Sequence, residues 1–152
     1  MGLFFAKRLI AIVMLLWPLT AAAQMSVPVY GNWCGPDYPA SPGLAGPPVD
    51  ALDAACMRHD YCTAARGRFD CGCDLAMMNE LRFTRWATPA IQANARGIYD
   101  AIAIIPCTDP LGTAQKQSLF VEDALSDILN GNAAPVNIID RWRRLFLQNR
   151  WQ

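Results

Sequence analysis

His59 is the only histidine among the 152 residues, and Asp60 follows it immediately. Cys56 and Cys62 flank it, three positions away on each side, in the run Cys56-Met57-Arg58-His59-Asp60-Tyr61-Cys62. An imidazole beside a carboxylate can take a proton from water, and a carboxylate can offer oxygens to a hard cation. One histidine leaves one candidate general base and no histidine cluster for a metal. The competing reading is a core histidine satisfied by Asp60 or by a backbone carbonyl, the ordinary fate of a lone histidine on an apolar face. Two covalent attachment points around one ring fix it more tightly than core packing requires, and reacting groups need such fixing. A second carboxylate, Asp74, follows Cys71-Gly72-Cys73. It is either a partner for the imidazole or a helix N-terminal residue favoured by the macrodipole.

Helices must position these groups. At about 100° per residue, Val49, Leu52, Ala55, Cys56, His59, Cys62 and Thr63 share one side of a helix over 49–66, with Asp60 at its edge. Gly67 offers the C-terminal stop. Ahead of this helix, residues 24–48 interleave Pro28, Pro36, Pro39, Pro42 and Pro47 with Gly31, Gly35, Gly43 and Gly46, and Pro48 follows. That composition predicts an ordered loop, tied down by Cys34. A second helix is predicted after Asp70, a good N-cap, through Leu81 and Trp86 to the break at Thr88-Pro89. Short helical pieces are predicted at 89–96 and 98–104, a helix at 113–130 closed by Gly131, and a last one from 135 to about 149. No alternation at period two and no internal repeat is present, so the expected class is all-α.

Hydrophobic residues make up 53% and charged residues 17%, which argues against disorder. Formal net charge is +0, and there is no basic tail or phosphate-cradling loop, so no nucleic-acid partner is expected. Residues 1–23 have the layout of a secretory signal. Lys7 and Arg8 precede an apolar run over 9–16, and Ala21-Ala22-Ala23 supplies small residues for cleavage. The run is shorter than the roughly 20 apolar residues that a membrane span needs. The expected domain is therefore 24–152, exported to the periplasm or the exterior, with 11 basic and 13 acidic residues. Six cysteines in such a domain favour disulfides over free thiols. Zinc is the alternative, but Cys71-Gly72-Cys73 is not a pair of CxxC knuckles.

Three motifs, in order, resemble those of the secreted phospholipase A2 superfamily. The helix signature C-x-x-H-D-x-C is present at 56–62. The calcium loop Y-G-x-x-C-G-x-G is similar to Tyr30-Gly31-Asn32-Trp33-Cys34-Gly35-Pro36-Asp37, and C-x-C-D to Cys71-Gly72-Cys73-Asp74. The resemblance covers about 30–79. It implies a disulfide-stapled antiparallel helix pair, an N-terminal calcium-binding loop and additional helices in a C-terminal extension over about 113–152. It implies Cys34–Cys56 and Cys62–Cys73, which leaves Cys71–Cys107. It further implies Ca2+ held by Asp60 and the backbone carbonyls of Trp33, Gly35 and Asp37, with His59 and Asp74 as the catalytic pair. The activity implied is hydrolysis of the sn-2 ester of a phospholipid presented at a membrane or micelle surface.

The chain also departs from the family pattern. Asp37 stands where the family usually has glycine, and Ala55 stands where it has a cysteine neighbouring Cys56. Thr63 stands where a tyrosine usually supports Asp74, so that hydrogen bond is weaker or comes from elsewhere. The interval between His59 and Asp74 is too short for the β-hairpin of the venom and pancreatic members, so the chain resembles a minimal, distant branch. The last helix carries Ile138, Ile139, Trp142, Leu145 and Phe146 with Arg141, Arg143, Arg144 and Arg150 around them. It either packs as core with snorkelling arginines or lies on an anionic bilayer. Trp33, Tyr38 and Leu44 are the other candidates for lipid contact. The rival functions are a catalytically silent binding module or toxin component, and a calcium-binding domain that recognises a protein.

Overall fold

The computed structural model describes residues 26–131 and 137–148. The region read as a signal lies outside them. Among the described residues, five α-helices follow one short 3-10 turn at Pro42–Leu44: α1 (Ala51–Arg66), α2 (Cys71–Phe83), α3 (Pro89–Ile104), α4 (Pro110–Leu129) and α5 (Asn137–Gln148). Among the described residues there is no strand, only an isolated antiparallel bridge between Tyr30 and Cys34. The protein is all-α, as expected.

Each helix begins where a side chain can take an orphan backbone N–H. The carboxylate of Asp50 accepts from Asp53 N at 2.9 Å, so α1 starts at Ala51. Val49 is thereby excluded from the helix and exposed, a correction to the apolar stripe. Asp70 caps α2 through Cys73 N. That helix ends at Phe83, short of Trp86, because the chain turns extended at Thr84. Trp86 folds back into the core, and its indole N–H donates to Leu81 O at 3.3 Å, one of the carbonyls that a helix end leaves open. The two short pieces predicted over 89–104 are one continuous helix. Gly97 does not break α3 because it is buried, where packing offsets a glycine cost of roughly 1 kcal/mol. Asp109 caps α4 through Gly112 N at 2.7 Å, with Pro110 in the first turn, so α4 starts three residues before Thr113.

Helices α1 and α2 form the expected antiparallel pair. Contacts 62 to 73, 59 to 74 and 58 to 80 run in opposite chain directions: a disulfide, a histidine–carboxylate bond and the Arg58–Glu80 ion pair. All three implied disulfides are present, Cys34–Cys56, Cys62–Cys73 and Cys71–Cys107, and no cysteine is free. Zinc ligation by these cysteines is excluded, since every sulfur is consumed. Leu52, Met78, Leu81 and Tyr99 lie at the centre of the core. α3 packs against α2, α4 and α5 and is the hub of the C-terminal half. A buried aspartate, Asp100, draws α5 in through Arg141, whose Nε donates to Oδ2 at 2.8 Å. Arg141 is thus an inward-facing ion-pair partner, while Arg143, Arg144, Ile139 and Leu147 are exposed. The side chains of Ile138, Trp142, Leu145 and Phe146 lie outside the described set.

Candidate active site

His59 and Asp74 face each other across the α1–α2 pair. His59 Nε2 lies 2.8 Å from Asp74 Oδ1. The other ring nitrogen, Nδ1, lies on the side of Asp60, 3.9 Å from its Oδ1. The Cys62–Cys73 bridge joins the residues three places after His59 and one place before Asp74, so the two side chains share one stapled level of the pair. With Nε2 donating to the carboxylate, the tautomer is set and the Nδ1 lone pair is left to accept a proton. His59 is half-buried and Asp74 is buried. Burial alone would raise the Asp74 carboxyl, but hydrogen bonds from His59 and Lys116, with their charges, outweigh it and hold it below the ordinary carboxylate value.

Sequence reasoning missed Lys116. This residue of α4 is completely buried, donates from Nζ to Asp74 Oδ2, and gives a second hydrogen bond to Ile105 O at 2.7 Å. It supplies the support that Thr63 does not. The Thr63 hydroxyl donates instead to Asp60 O at 3.1 Å, within its own helix. A signal was present in the composition. Beyond Lys7, Lys116 is the sole lysine in a chain whose remaining basic residues are all arginine.

The 26–48 loop is anchored to α1 by a second residue the sequence reading passed over. Asp53 is fully buried, and its carboxylate accepts backbone N–H bonds from Asn32, Trp33 and Val49, each at 2.9 Å. Gly31, at φ +56°, permits that wrap, because a Cβ there would meet the carboxylate at 2.3 Å. Gly35 is required for a different reason: its Cβ would sit 2.0 Å from Val27 O. The even-numbered carbonyls are committed to the segment before the turn, Cys34 O to Val29 and Tyr30 and Pro36 O to Val27. The odd-numbered carbonyls of Trp33, Gly35 and Asp37 lie outside that pairing, and Gly35 O accepts one bond, from Tyr38 N at 3.2 Å. The Trp33 ring meets the ring of Tyr61 at 5.5 Å, so the loop packs against α1 at the residue that follows Asp60. Asp37 takes a positive φ of 53°, and its side chain is turned to Arg68 at 2.6 Å. Trp33 is buried with its indole donating to Gly46 O at 2.8 Å, which removes it from the candidates for lipid contact, whereas Leu44 is exposed.

Asp60 fits a cation ligand on its own evidence. Its Oδ2 is buried without a hydrogen-bond donor. Burial pushes the carboxyl up to about 7, against the opposing influence of His59 and with a further rise from Asp53. A buried oxygen with no donor is costly unless something positive faces it. Among the described residues, no three His, Cys, Asp or Glu side chains converge on a metal-sized site. A cation at Asp60 therefore has to draw on carbonyl oxygens, the donor set that calcium accepts.

The fold and site together define a small, disulfide-stapled helical protein with a histidine–aspartate pair across two stapled helices. No family model and no solved structure gives a significant match. The chain is similar to phospholipase A2 homolog 3 of rice (Oryza sativa subsp. japonica), with 34% identity over 77 residues, which is 50% of this chain and 46% of the relative. It is also similar to phospholipase A2-gamma of Arabidopsis thaliana, with 50% identity over 38 residues, 25% of this chain and 19% of the relative. The chain thus spans about half the length of one of these relatives and about a fifth of the other. These matches support a distant relationship to the secreted phospholipases A2. No described helix is long and apolar enough to cross a membrane.

Proposed function

We propose that this protein is an exported, calcium-dependent carboxylic ester hydrolase of phospholipase A2 type. It cleaves the sn-2 ester of glycerophospholipids at a membrane or micelle surface and releases a fatty acid and a lysophospholipid. The observation that carries this reading is the 2.8 Å contact of His59 Nε2 with Asp74, which leaves Nδ1 turned to the side of Asp60. The three disulfides are the chemistry of an oxidising compartment and agree with export.

In this mechanism His59 Nδ1 takes a proton from water as the water oxygen attacks the ester carbonyl. Asp74 holds the Nε2 proton and stabilises the imidazolium that forms. The ring then returns its proton to the leaving alkoxide of the lysophospholipid, which closes the balance of one ester and one water to one acid and one alcohol. A calcium ion held by Asp60 with the carbonyls of Trp33, Gly35 and Asp37 would supply an electrophile for the ester oxygen and a counter-charge for the phosphate. Asp53 and the Cys34–Cys56 bridge hold the backbone at 32–34 to α1, which supports that reading.

Fatty-acid release from phosphatidylcholine or phosphatidylglycerol vesicles, with calcium and with chelator, tests the reading. Calcium-dependent release that falls at least 100-fold in His59→Ala is expected, on the order of a general base's contribution. Calcium binding without release would identify a silent binding module instead.

A further inference from the structure

We propose that Lys116 is a positioning residue of the hydrolytic pair, its buried ammonium holding the carboxylate of Asp74 in the orientation that receives the Nε2 proton of His59. The inference rests on the site reading above.

Three observations carry it. First, the two oxygens of Asp74 are divided: Oδ1 faces His59 Nε2 at 2.8 Å, and Oδ2 accepts from Lys116 Nζ. A carboxylate bound at both oxygens cannot rotate away from the imidazole without breaking a charge-assisted bond in a buried site. Second, Lys116 has no exposed surface, and its second hydrogen bond goes to Ile105 O at the end of α3, at 2.7 Å. The ammonium is therefore held from two helices at once. Third, the turn of α4 before it is locked to α2. Gly112 packs so closely that a Cβ would lie 2.5 Å from Cys71 Sγ, and Thr113 Oγ1 accepts from Cys107 N at 3.1 Å. The Cys71–Cys107 bridge thereby sets the register of α4 that delivers Lys116 to Asp74.

The residue type fits the task. Every basic residue outside Lys7 and Lys116 is an arginine, and the arginines that pair with carboxylates here span two helices or reach partly exposed partners. A planar five-donor fork cannot enter a pocket with two acceptors at one point, whereas a compact ammonium can. Its charge also offsets Asp74 while the imidazole is neutral, so the carboxylate can stay buried and remain an acceptor. The hydroxyl of Thr63, turned to Asp60 O, gives Asp74 neither a bond nor that charge.

The test uses the whole chain and exploits its single histidine. Lys116→Met keeps an unbranched side chain as far as Cε and removes the ammonium. We expect its kcat on phosphatidylglycerol vesicles to fall about 10- to 100-fold, as loss of a supporting partner commonly does, with KM within about twofold of wild type. In Asp74→Asn the same change should add no more than about twofold, because the lysine acts only through that carboxylate. Nitrogen-15 spectra of the neutral imidazole should show the Nε2–H tautomer in wild type and a mixture of tautomers in Lys116→Met. Unchanged kcat with an unchanged tautomer, or full multiplication of the two losses, overturns the proposal. Should the wild-type chain release no fatty acid, the functional reading fails and the tautomer alone decides the role of Lys116. If Lys116→Met does not fold, the lysine Nζ resonances of wild type decide. A slowly exchanging Lys116 ammonium coupled to Asp74 supports the proposal, and a rapidly exchanging one overturns it.

Discussion

The carboxylate of Asp53 accepts the backbone N–H of Trp33 at 2.9 Å, twenty residues away, with the N–H groups of Asn32 and Val49 on its second oxygen. One buried side chain thus holds the proline- and glycine-rich loop to the helix that carries His59 at two places, 32–33 and 49. Replacing Asp53 with alanine leaves three backbone donors without that acceptor. At about 1–3 kcal/mol for each unsatisfied buried donor, we expect a loss of at least 3 kcal/mol, read from urea unfolding. A loss below 1 kcal/mol would mean that water replaces the carboxylate.

Removing the Cys62–Cys73 bridge by paired alanine substitution should lower stability by about 2–4 kcal/mol. The effect on catalysis should exceed the effect on substrate affinity, because this bridge sets the spacing between His59 and Asp74. Thermal unfolding and steady-state kinetics on the same preparation check both statements. An equal fall in kcat and rise in KM would place the effect elsewhere.

Asp74 gives a pH dependence of defined sign. Its folded carboxyl titrates below the ordinary value of 3.8. The stability it contributes is present above that value and is lost as pH falls through the lower folded one. Asp74→Asn should therefore be less stable than wild type at pH 7, and the gap should close below about pH 3.8. Acid titrations followed by circular dichroism measure it, and a gap that widens on acidification contradicts the assignment.

Calcium should stabilise the fold by mass action, by about 2.7 kcal/mol at a free concentration near 100 times its Kd. Asp60→Asn should abolish that response while leaving the fold intact, since Asp60 Oδ2 has no hydrogen-bond donor to lose. Melting curves with calcium and with chelator are the measurement. A calcium response equal to wild type in Asp60→Asn removes Asp60 from the ligand set.

Arg141→Met should cost about 3–5 kcal/mol, because it removes the guanidinium that donates to the fully buried Asp100. Burial raises that carboxyl, and the bond and charge of Arg141 oppose the rise. Double substitution with Asp100→Asn should recover much of the loss. This cycle tests α5 as a docked helix, whereas Ile139→Ser and Leu147→Ser test its exposed face by vesicle co-sedimentation.

The all-α class and the Asp70 cap were legible in the residues themselves, whereas the antiparallel pair, the disulfide pairing and the meeting of His59 with Asp74 were legible only through the resemblance of three short motifs to the secreted phospholipases A2. Class and cap are set locally, by helical spacing and capping side chains, while the disulfides join positions 11 to 36 apart that spacing alone does not pair. Helix boundaries were legible only in part. The extent of α3 depended on Gly97 being buried, and the end of α2 depended on the indole of Trp86 finding Leu81 O. Lys116, Asp53 and the inward turn of Arg141 required the tertiary structure. Each is a charged residue whose own helix gives no reason to bury it, and each is buried or nearly so because a partner 20 to 42 positions away offsets the cost of leaving water.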